Sequence, residues 1–131
     1  MPRKPRQPIV AAQLYTLRDH MKTPAEMAAT LKRVRRIGYE AAQISGGGPI
    51  DPAELRKLML AAGVEPIGAH VGLDAFRQDI RKVIADCKAW GIAYVAIPWL
   101  SHEACKTAAD WRKLFREFER HARRLRDEGL T

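Results

Sequence analysis

Hydrophobic residues recur at helical spacing in four segments of the chain, and each segment has clear boundary signals. Residues 23–26 (Thr-Pro-Ala-Glu) and 51–54 (Asp-Pro-Ala-Glu) each combine a capping side chain, a proline at the first helical position and a glutamate three residues after the cap, which is typical of a helix start. Asp74 and Thr107 are candidate caps for a third and a fourth helix, and the fourth runs to about Asp127. A glycine followed by an apolar or aromatic residue ends each segment, at Gly38, Gly63, Gly91 and Gly129.

Short apolar runs lie before and between these predicted helices, at residues 8–14, 39–45, 64–71 and 92–98. Short apolar runs that alternate with longer helices are typical of βα units, whose strands form a parallel sheet. We therefore predict an α/β fold in which four parallel strands are each followed by a helix.

The predicted strands share a pattern of small and polar residues on one face. Side chains alternate between the two faces of a strand, and in the first three strands one face carries a small residue and then a polar one. These pairs are Ala11 and Gln13, Ala41 and Gln43, and Gly68 and His70. The opposite faces suit burial under helices; they carry Val10, Leu14, Ile44, Ile67 and Val71. This alternation suits the inside of a barrel that is filled at its floor and polar at its mouth.

Polar and aromatic side chains gather at the predicted carboxyl ends of the strands, where α/β proteins bind their ligands. They are Gln13, Tyr15, Gln43, Ser45 and His70, with Trp99 beyond the fourth strand. Each has a structural alternative, since a glutamine at a strand end is commonly a loop-edge residue, His70 could be a core histidine and Trp99 could serve packing. Because three strands share the pattern, we predict a binding pocket here.

Composition narrows the class of protein. The chain has 131 residues, of which 47% are hydrophobic and 29% charged, as in a globular domain with a single core. Two cysteines, Cys87 and Cys105, are too few for a disulfide scaffold and favour the cytoplasm. No apolar run approaches the roughly 18 residues of a membrane span, and the basic start of the chain lacks the apolar segment of a signal peptide. We predict a disordered basic tail over residues 1–8 and one domain over residues 9–131.

The net charge of +8 raises the question of nucleic acid binding. Seven basic residues fall in the predicted fourth helix: Arg112, Lys113, Arg116, Arg120, Arg123, Arg124 and Arg126. They lie opposite the apolar stripe of that helix, which is the usual arrangement of a solvated helix face. Because no aromatic residue interleaves with them and no zinc-finger spacing accompanies them, a solvated face is favoured over a phosphate-binding one.

Three segments together resemble the sugar phosphate isomerase/epimerase family, within the xylose isomerase-like TIM barrel superfamily that also includes endonuclease IV. They are residues 10–18 (VAAQLYTLR), 37–46 (IGYEAAQISG) and 68–71 (GAHV), and the resemblance extends in order over residues 9–131. It implies a (β/α)8 TIM barrel, of which the four βα units of this chain are the N-terminal half.

The resemblance also implies a role in carbohydrate metabolism. In such enzymes a divalent metal, Mn²⁺, Mg²⁺ or Zn²⁺, holds two substrate oxygens while carboxylates move the proton beside the carbonyl. Gln43, His70 and Tyr15 match positions that contact substrate and not metal. We expect a small-molecule sugar or sugar phosphate to bind this chain, through Gln13, Tyr15, Gln43, His70 and Trp99.

The sequence departs from the family pattern in its length. The family's metal ligands and catalytic carboxylates come from later strands, and this chain stops at Thr131, where strand five would start; eight units need about 250 residues. His102, Glu103 and Cys105 match no metal-binding spacing. We therefore expect no metal site and no catalytic residue in this chain, and no isomerase or epimerase activity from it alone.

Three interpretations of the half barrel remain open. It is a fragment of a longer enzyme, which we favour, or a half that associates with a second copy or a complementary chain, because edge strands and an open inner face need covering. The third interpretation is collapse into a small open α/β layer. A basic nucleic-acid-binding domain related to endonuclease IV is a further alternative. It is weakened because Pro98 and Trp99 stand where that branch has a metal-binding histidine.

Overall fold

A computed structural model describes residues 8–131. Four β-strands alternate with four α-helices, namely β1 (Ala11–Gln13), α1 (Pro24–Ile37), β2 (Ala41–Ile44), α2 (Pro52–Ala61), β3 (Glu65–His70), α3 (Leu73–Trp90), β4 (Val95–Ala96) and α4 (Ala108–Asp127). Two 3₁₀ helices, Leu14–His20 and His102–Cys105, follow β1 and β4. The predicted basic tail, residues 1–8, lies outside the described residues except for Pro8.

The strands form one parallel sheet in the order β1-β2-β3-β4. Gln13 is the register partner of Gln43, and Gln43 is the partner of Gly68, so these positions form a row across three strands. A bulge shifts the register between Ala42 and Gln43. Neighbouring parallel strands joined by helices are the repeating unit of a (β/α)8 barrel, and the four predicted βα units are present.

Local capping signals place the helix starts. The Thr23 hydroxyl accepts from the Glu26 backbone N–H in a capping box, and the Asp51 carboxylate accepts from two backbone N–H groups of α2. Thr107 caps α4 as predicted. The prediction that Asp74 caps the third helix is wrong: α3 begins at Leu73, and Asp74 lies in its first turn. There its charge still favours the positive end of the helix dipole.

The core lies between the sheet and the helices. Its most deeply buried large side chains come from the helices, the first 3₁₀ helix and the segments beside them: Leu14, Met21, Met27, Leu31, Met59, Val64 and Cys87. On the sheet, Ala42 and Ala69 are almost fully buried beneath these side chains. Small strand residues let the helices approach the sheet closely, which raises packing density where most of the stabilisation arises.

Two residues predicted to be buried under helices are exposed. Val10 is 71% exposed, because β1 lies at the sheet edge and its flank has no covering helix among residues 8–131. Ile67 is 42% exposed, because the bulge leaves it without a register partner between Pro66 and Gly68. A bulge turns a side chain away from the alternation that the sequence pattern assumes.

The surface of α4 matches its predicted solvated face. All seven of its arginine and lysine residues are exposed, and the Arg123 side chain pairs with Glu119 one turn earlier. Ion pairs of this spacing are worth only a few tenths of a kcal/mol.

A charged contact of a different kind joins α3 to α4. Arg77 donates two hydrogen bonds to the Glu117 carboxylate, at 2.7 and 2.9 Å, and the Glu117 side chain is only 12% exposed. The guanidinium of Arg77 therefore holds the pKa of Glu117 below its ordinary value. Fork-to-fork geometry makes this the strongest polar link between the two helices.

We expect Met59→Ala to lower the free energy of unfolding by about 2–5 kcal/mol, because it leaves a cavity in a fully packed site. Met59 is 0% exposed, whereas its neighbour Leu60 is 50% exposed. Leu60→Ala is therefore the matched control, with an expected loss below about 0.5 kcal/mol. Urea denaturation followed by circular dichroism measures both, and equal losses would contradict the assigned core.

We expect Glu117→Gln to lower the free energy of unfolding at neutral pH by about 2 kcal/mol. This loss is smaller than that from breaking a fully buried ion pair, because the Arg77 side chain is partly exposed to solvent. A carboxylate whose folded pKa is depressed stabilises the fold above its unfolded pKa and loses that stabilisation as pH falls through the folded one. The difference between wild type and variant should therefore shrink between roughly pH 5 and pH 3.

Glu119→Gln is the control for this titration, since Glu119 also pairs with an arginine but is 59% exposed. Denaturation curves at a series of pH values should show little difference from wild type for this variant. A Glu117→Gln difference that stays constant down to pH 3 would rule out the ion pair as its source.

Candidate functional site

Two amide side chains meet at the carboxyl ends of β1 and β2. The Nε2 group of Gln13 donates to Oε1 of Gln43 over 3.2 Å, as parallel register places the two residues opposite each other. Each amide has two donors and an acceptor with two lone pairs, so one mutual bond leaves most of this capacity free. Gln13 is exposed and Gln43 is half-buried, and both can bind a polar ligand.

Gln43 faces an open concavity of about 410 Å³ on the side of the sheet that has no helices. Ile67, Gly68 and Tyr94 line it with Gln43. Gly68 contributes no side chain to this concavity, and a Cβ at this position would lie 3.2 Å from the carbonyl oxygen of Tyr94. The concavity corresponds to the inner face of a barrel.

A second polar pair lies at the ends of β2 and β3. The Ser45 hydroxyl is 3.4 Å from Nδ1 of His70, and Ser45 is 7% exposed. Both residues line a cavity of about 240 Å³ together with a glycine loop, residues 46–48, and apolar side chains of the helical layer. Trp90 also lines it, and its indole Nε1 is buried without a hydrogen-bond partner among residues 8–131.

Tyr15 stands beside that glycine loop. A Cβ on Gly46, whose φ is +70°, would lie 2.6 Å from Cδ2 of Tyr15, so the ring packs directly on the loop backbone. The guanidinium carbon of Arg18 is 4.4 Å from the ring centre, within cation–π range, and Arg18 also donates to the Tyr15 carbonyl at 2.9 Å. An exposed cation is thereby fixed at the mouth of the first strand.

The structure therefore brings the five predicted substrate residues together only in part. Gln13 and Gln43 touch, Tyr15 packs on Gly46 of the glycine loop, and His70 lines the cavity beside that loop. His70 lines the cavity on the helical side and not the concavity of Gln43. Trp99 follows β4, is 72% exposed and lines neither space.

Sequence reasoning missed Arg18 and Trp90. Arg18 follows Tyr15 by three residues, a spacing that joins side chains on a helix, but no helix was predicted there. Trp90 falls in the last turn of the predicted third helix, and nothing in the sequence distinguishes a packed indole from one whose N–H lacks a partner.

The polar groups present do not fit the divalent metal that the resemblance implies. Near the strand ends they are two amides, a hydroxyl and one imidazole, whereas Mg²⁺ or Mn²⁺ prefers carboxylates and Zn²⁺ takes several nitrogen or sulfur ligands. Within residues 8–131, no three histidine, cysteine or acidic side chains are grouped so that they could hold a metal ion.

The chain is similar to a solved structure, a sugar phosphate isomerase/epimerase from Parabacteroides distasonis ATCC 8503. The two share 15% sequence identity with a TM-score of 0.69, over 100% of this chain and 51% of that one. This chain is half of a (β/α)8 barrel. The family resemblance is thus confirmed at the level of the fold, and the chain spans about half the length of the structure that it matches.

Two other comparisons found no match: no protein-family model matches the sequence, and no curated protein matches it. Among the helices described over residues 8–131, none combines the length and apolar character needed to cross a lipid bilayer.

We expect Gly46→Ala to displace Tyr15 and to lower the free energy of unfolding by about 1–2 kcal/mol, because a side chain at positive φ is strained and meets the ring. Gly72→Ala is the matched control, since Gly72 has φ −63° and no atom within 4 Å of its added Cβ. Urea denaturation reports stability, and NMR chemical shifts of the Tyr15 ring report its displacement. Unchanged Tyr15 shifts in Gly46→Ala would contradict the packing described.

Proposed function

We propose that this chain is the N-terminal half of a sugar phosphate isomerase or epimerase and that it binds a sugar or sugar phosphate at the carboxyl ends of its strands. The Gln13–Gln43 contact carries the proposal, because it places free amide donors and acceptors at the rim where barrels of this fold bind ligands. Amides can donate to and accept from the same sugar hydroxyls, which suits a polyol better than an apolar ligand.

Arg18 supports a phosphate ester as part of the ligand. Its position over Tyr15 is fixed by the ring and by one hydrogen bond, so little ordering entropy is lost when it binds an anion. In the described part of the chain, no carboxylate lies within 4 Å of its guanidinium. Its remaining N–H groups are therefore open to phosphate oxygens, for which guanidinium geometry is well suited.

The proposed contribution of this half is binding and orientation. Gln13 and Gln43 would hold sugar hydroxyls, and the Ser45–His70 pair would orient a group that enters the cavity beside the glycine loop. We assign no proton transfer to Gln13, Gln43 or Ser45, since amides and a hydroxyl do not titrate near neutral pH. The divalent metal and the catalytic carboxylates implied by the resemblance would come from a complementary half.

The cytoplasm is the proposed compartment. Both cysteines are free, which suits a reducing compartment. Burial raises the pKa of the Cys87 thiol to about 11, so this thiol serves packing and is not reactive.

The test is ligand-observed NMR with a panel of pentose and hexose phosphates and their unphosphorylated parents. We expect millimolar binding by wild type, at least a tenfold weaker affinity for Gln43→Ala, and no change for Glu65→Ala. Glu65 is the matched control because it lies on β3, exposed, at the opposite end of the sheet.

Arg18→Met separates the two parts of the ligand. It should weaken binding of the phosphate ester while leaving the unphosphorylated sugar unchanged, because only the ester carries the anion. Wild-type protein that binds no member of the panel, or a Gln43→Ala variant that binds like wild type, would overturn the proposal.

A further inference from the structure

A break in α3 sets apart a short helical segment that follows the candidate site. Asp79 has φ −158° and ψ 88°, outside helical geometry, and its carboxylate accepts from the backbone N–H groups of Arg81 and Lys82. A side chain that bonds in this way caps the start of a new helix. Residues 73–78 therefore form a unit separate from residues 80–90, and we call them the 73–78 segment.

The 73–78 segment is too short to be stable through its own backbone hydrogen bonds. Isolated helices under about 12 residues are marginal in water, because few such bonds offset the entropy lost in ordering the chain. Its first turn closes with a bond from the Ala75 N–H to the Gly72 carbonyl at 3.1 Å, and Gly72 has no side chain to act as a cap. The segment therefore depends on contacts with other elements to keep its place.

Two neighbouring side chains attach the segment to α4. Phe76 is 3% exposed, and its ring centre lies 5.5 Å from that of His121. Arg77 donates two hydrogen bonds to the Glu117 carboxylate. Arg77 also lies 3.6 Å from Asp74, but Asp74 belongs to the segment itself, so this contact does not anchor it. The Arg77–Glu117 pair is thus the polar anchor of the segment.

The ion pair fixes the orientation of the segment more tightly than the apolar contact does. Two parallel N–H···O bonds define both a distance and an angle, whereas apolar packing is non-directional. The Nε2 atom of His121 lies 3.6 Å from Oε1 of Glu117, beyond hydrogen-bond distance. Arg77 is therefore the residue that holds the Glu117 carboxylate.

The ring of His70 is held less firmly than its backbone. His70 pairs with Ala96 in the ladder between β3 and β4, and the next N–H, that of Val71, donates to the Ala96 carbonyl at 3.0 Å. The imidazole itself has only a long contact in this direction of the chain, from Nδ1 to the Ser45 hydroxyl at 3.4 Å. The surfaces around the ring therefore decide where it lies.

The 73–78 segment supplies one of those surfaces. His70 lines a cavity of about 350 Å³, and Ala75 and Gln78 of the segment line it together with Lys82 and Asp86 of the second half of α3. His70 also lines the cavity that it shares with Ser45. A displacement of the segment therefore changes the space beside the imidazole, although the strand backbone stays in place.

We infer that Arg77 and Glu117 are positioning residues for His70. Their ion pair holds the 73–78 segment against α4 and so fixes the wall of the cavity beside the imidazole, which keeps the ring near Ser45. Neither residue of the pair lines either cavity, so neither contacts a ligand bound there. Their role rests on the proposed function in one respect only, that His70 binds the ligand.

The first test is amide hydrogen exchange of the full chain at neutral pH, followed by NMR. In wild type we expect residues 75–78 to be protected from exchange. In Glu117→Gln and in Arg77→Met they should exchange at least tenfold faster relative to residues 84–90 than in wild type, because the segment opens without the rest of α3. Glu117→Gln preserves the shape of the side chain, and circular dichroism checks that both variants fold.

Glu119→Gln is the control, since Glu119 forms its ion pair on the exposed surface of α4, and it should exchange like wild type. Residues 75–78 that are unprotected in wild type would overturn the inference. So would a variant of the Arg77–Glu117 pair in which both halves of α3 exchange faster by the same factor, because the pair would then stabilise only the fold as a whole.

The second test follows the His70 ring itself. Its ¹⁵N and ¹³C chemical shifts at a fixed pH, assigned with a His70→Gln variant, should change in Glu117→Gln and in Arg77→Met. The ring of His20 serves as the internal reference, because His20 is exposed at the end of the 3₁₀ helix that follows β1.

Met59→Ala is the matched control for lost stability. Met59 is 0% exposed in the core and lines neither cavity of His70, so its loss should speed exchange throughout α3 without moving the His70 signals. His70 signals that stay as in wild type in both variants of the ion pair, or that move as much in Met59→Ala, would overturn the inference.

Ligand binding separates the positioning role from the proposed function. For a sugar phosphate that wild type binds, Glu117→Gln should weaken the affinity at least threefold, and Glu119→Gln should leave it unchanged. A Glu117→Gln variant that loses protection of residues 75–78 and still binds like wild type would overturn the positioning role. If wild type binds no sugar phosphate, the proposed function fails, and exchange and the His70 signals still decide whether the ion pair positions His70.

Discussion

The constraint on which the rest of the structure depends is the sparse pairing along the outer sides of β1 and β4: within residues 8–131 no strand pairs with the outer side of β1, and only Thr131 pairs with that of β4. A parallel sheet normally has both faces covered and is stable only with its strands paired. Here the inner strand β3 has six residues, whereas the edge strands β1 and β4 have three and two. Short edge strands limit the number of free hydrogen-bonding groups, and Thr131 satisfies two more at β4. The fold is therefore complete in its helical layer and incomplete at its edges and inner face.

The sequence could predict the helices because their boundaries are encoded locally. Thr23, Asp51 and Thr107 each cap a helix with their own side chain, so three residues of context suffice. The break within α3 has the same origin: Asp79 leaves helical geometry, and its carboxylate accepts from the backbone N–H groups of Arg81 and Lys82. Asp79 thus caps a second helical start within α3, again with its own side chain.

The candidate site was only partly predictable from the sequence. Side chains alternate strictly between the two faces of a sheet where strands are paired, and this alternation weakens at the strand ends. Gln13 and Gln43 lie inside paired strands, so period two and parallel register bring them together. His70 is the last residue of β3, where the pleat fixes the ring less firmly, and it lies toward Ser45 in the cavity of the helical layer. The bulge that exposes Ile67 depends on contacts between strands far apart in the chain, and no local pattern encodes it.

The strand ends of this half hold groups that can bind a polar ligand. The Gln13–Gln43 pair and the Arg18 guanidinium are rich in hydrogen-bond donors and in positive charge. Such a set suits recognition of an anionic polyol, because amide groups and arginine bind without exchanging protons. A complementary half with carboxylates at its strand ends would place a base beside the same ligand, and such a base supplies the proton transfer that isomerisation requires. Under the function proposed above, binding would therefore be a property of this half, whereas catalysis would be a property of the pairing.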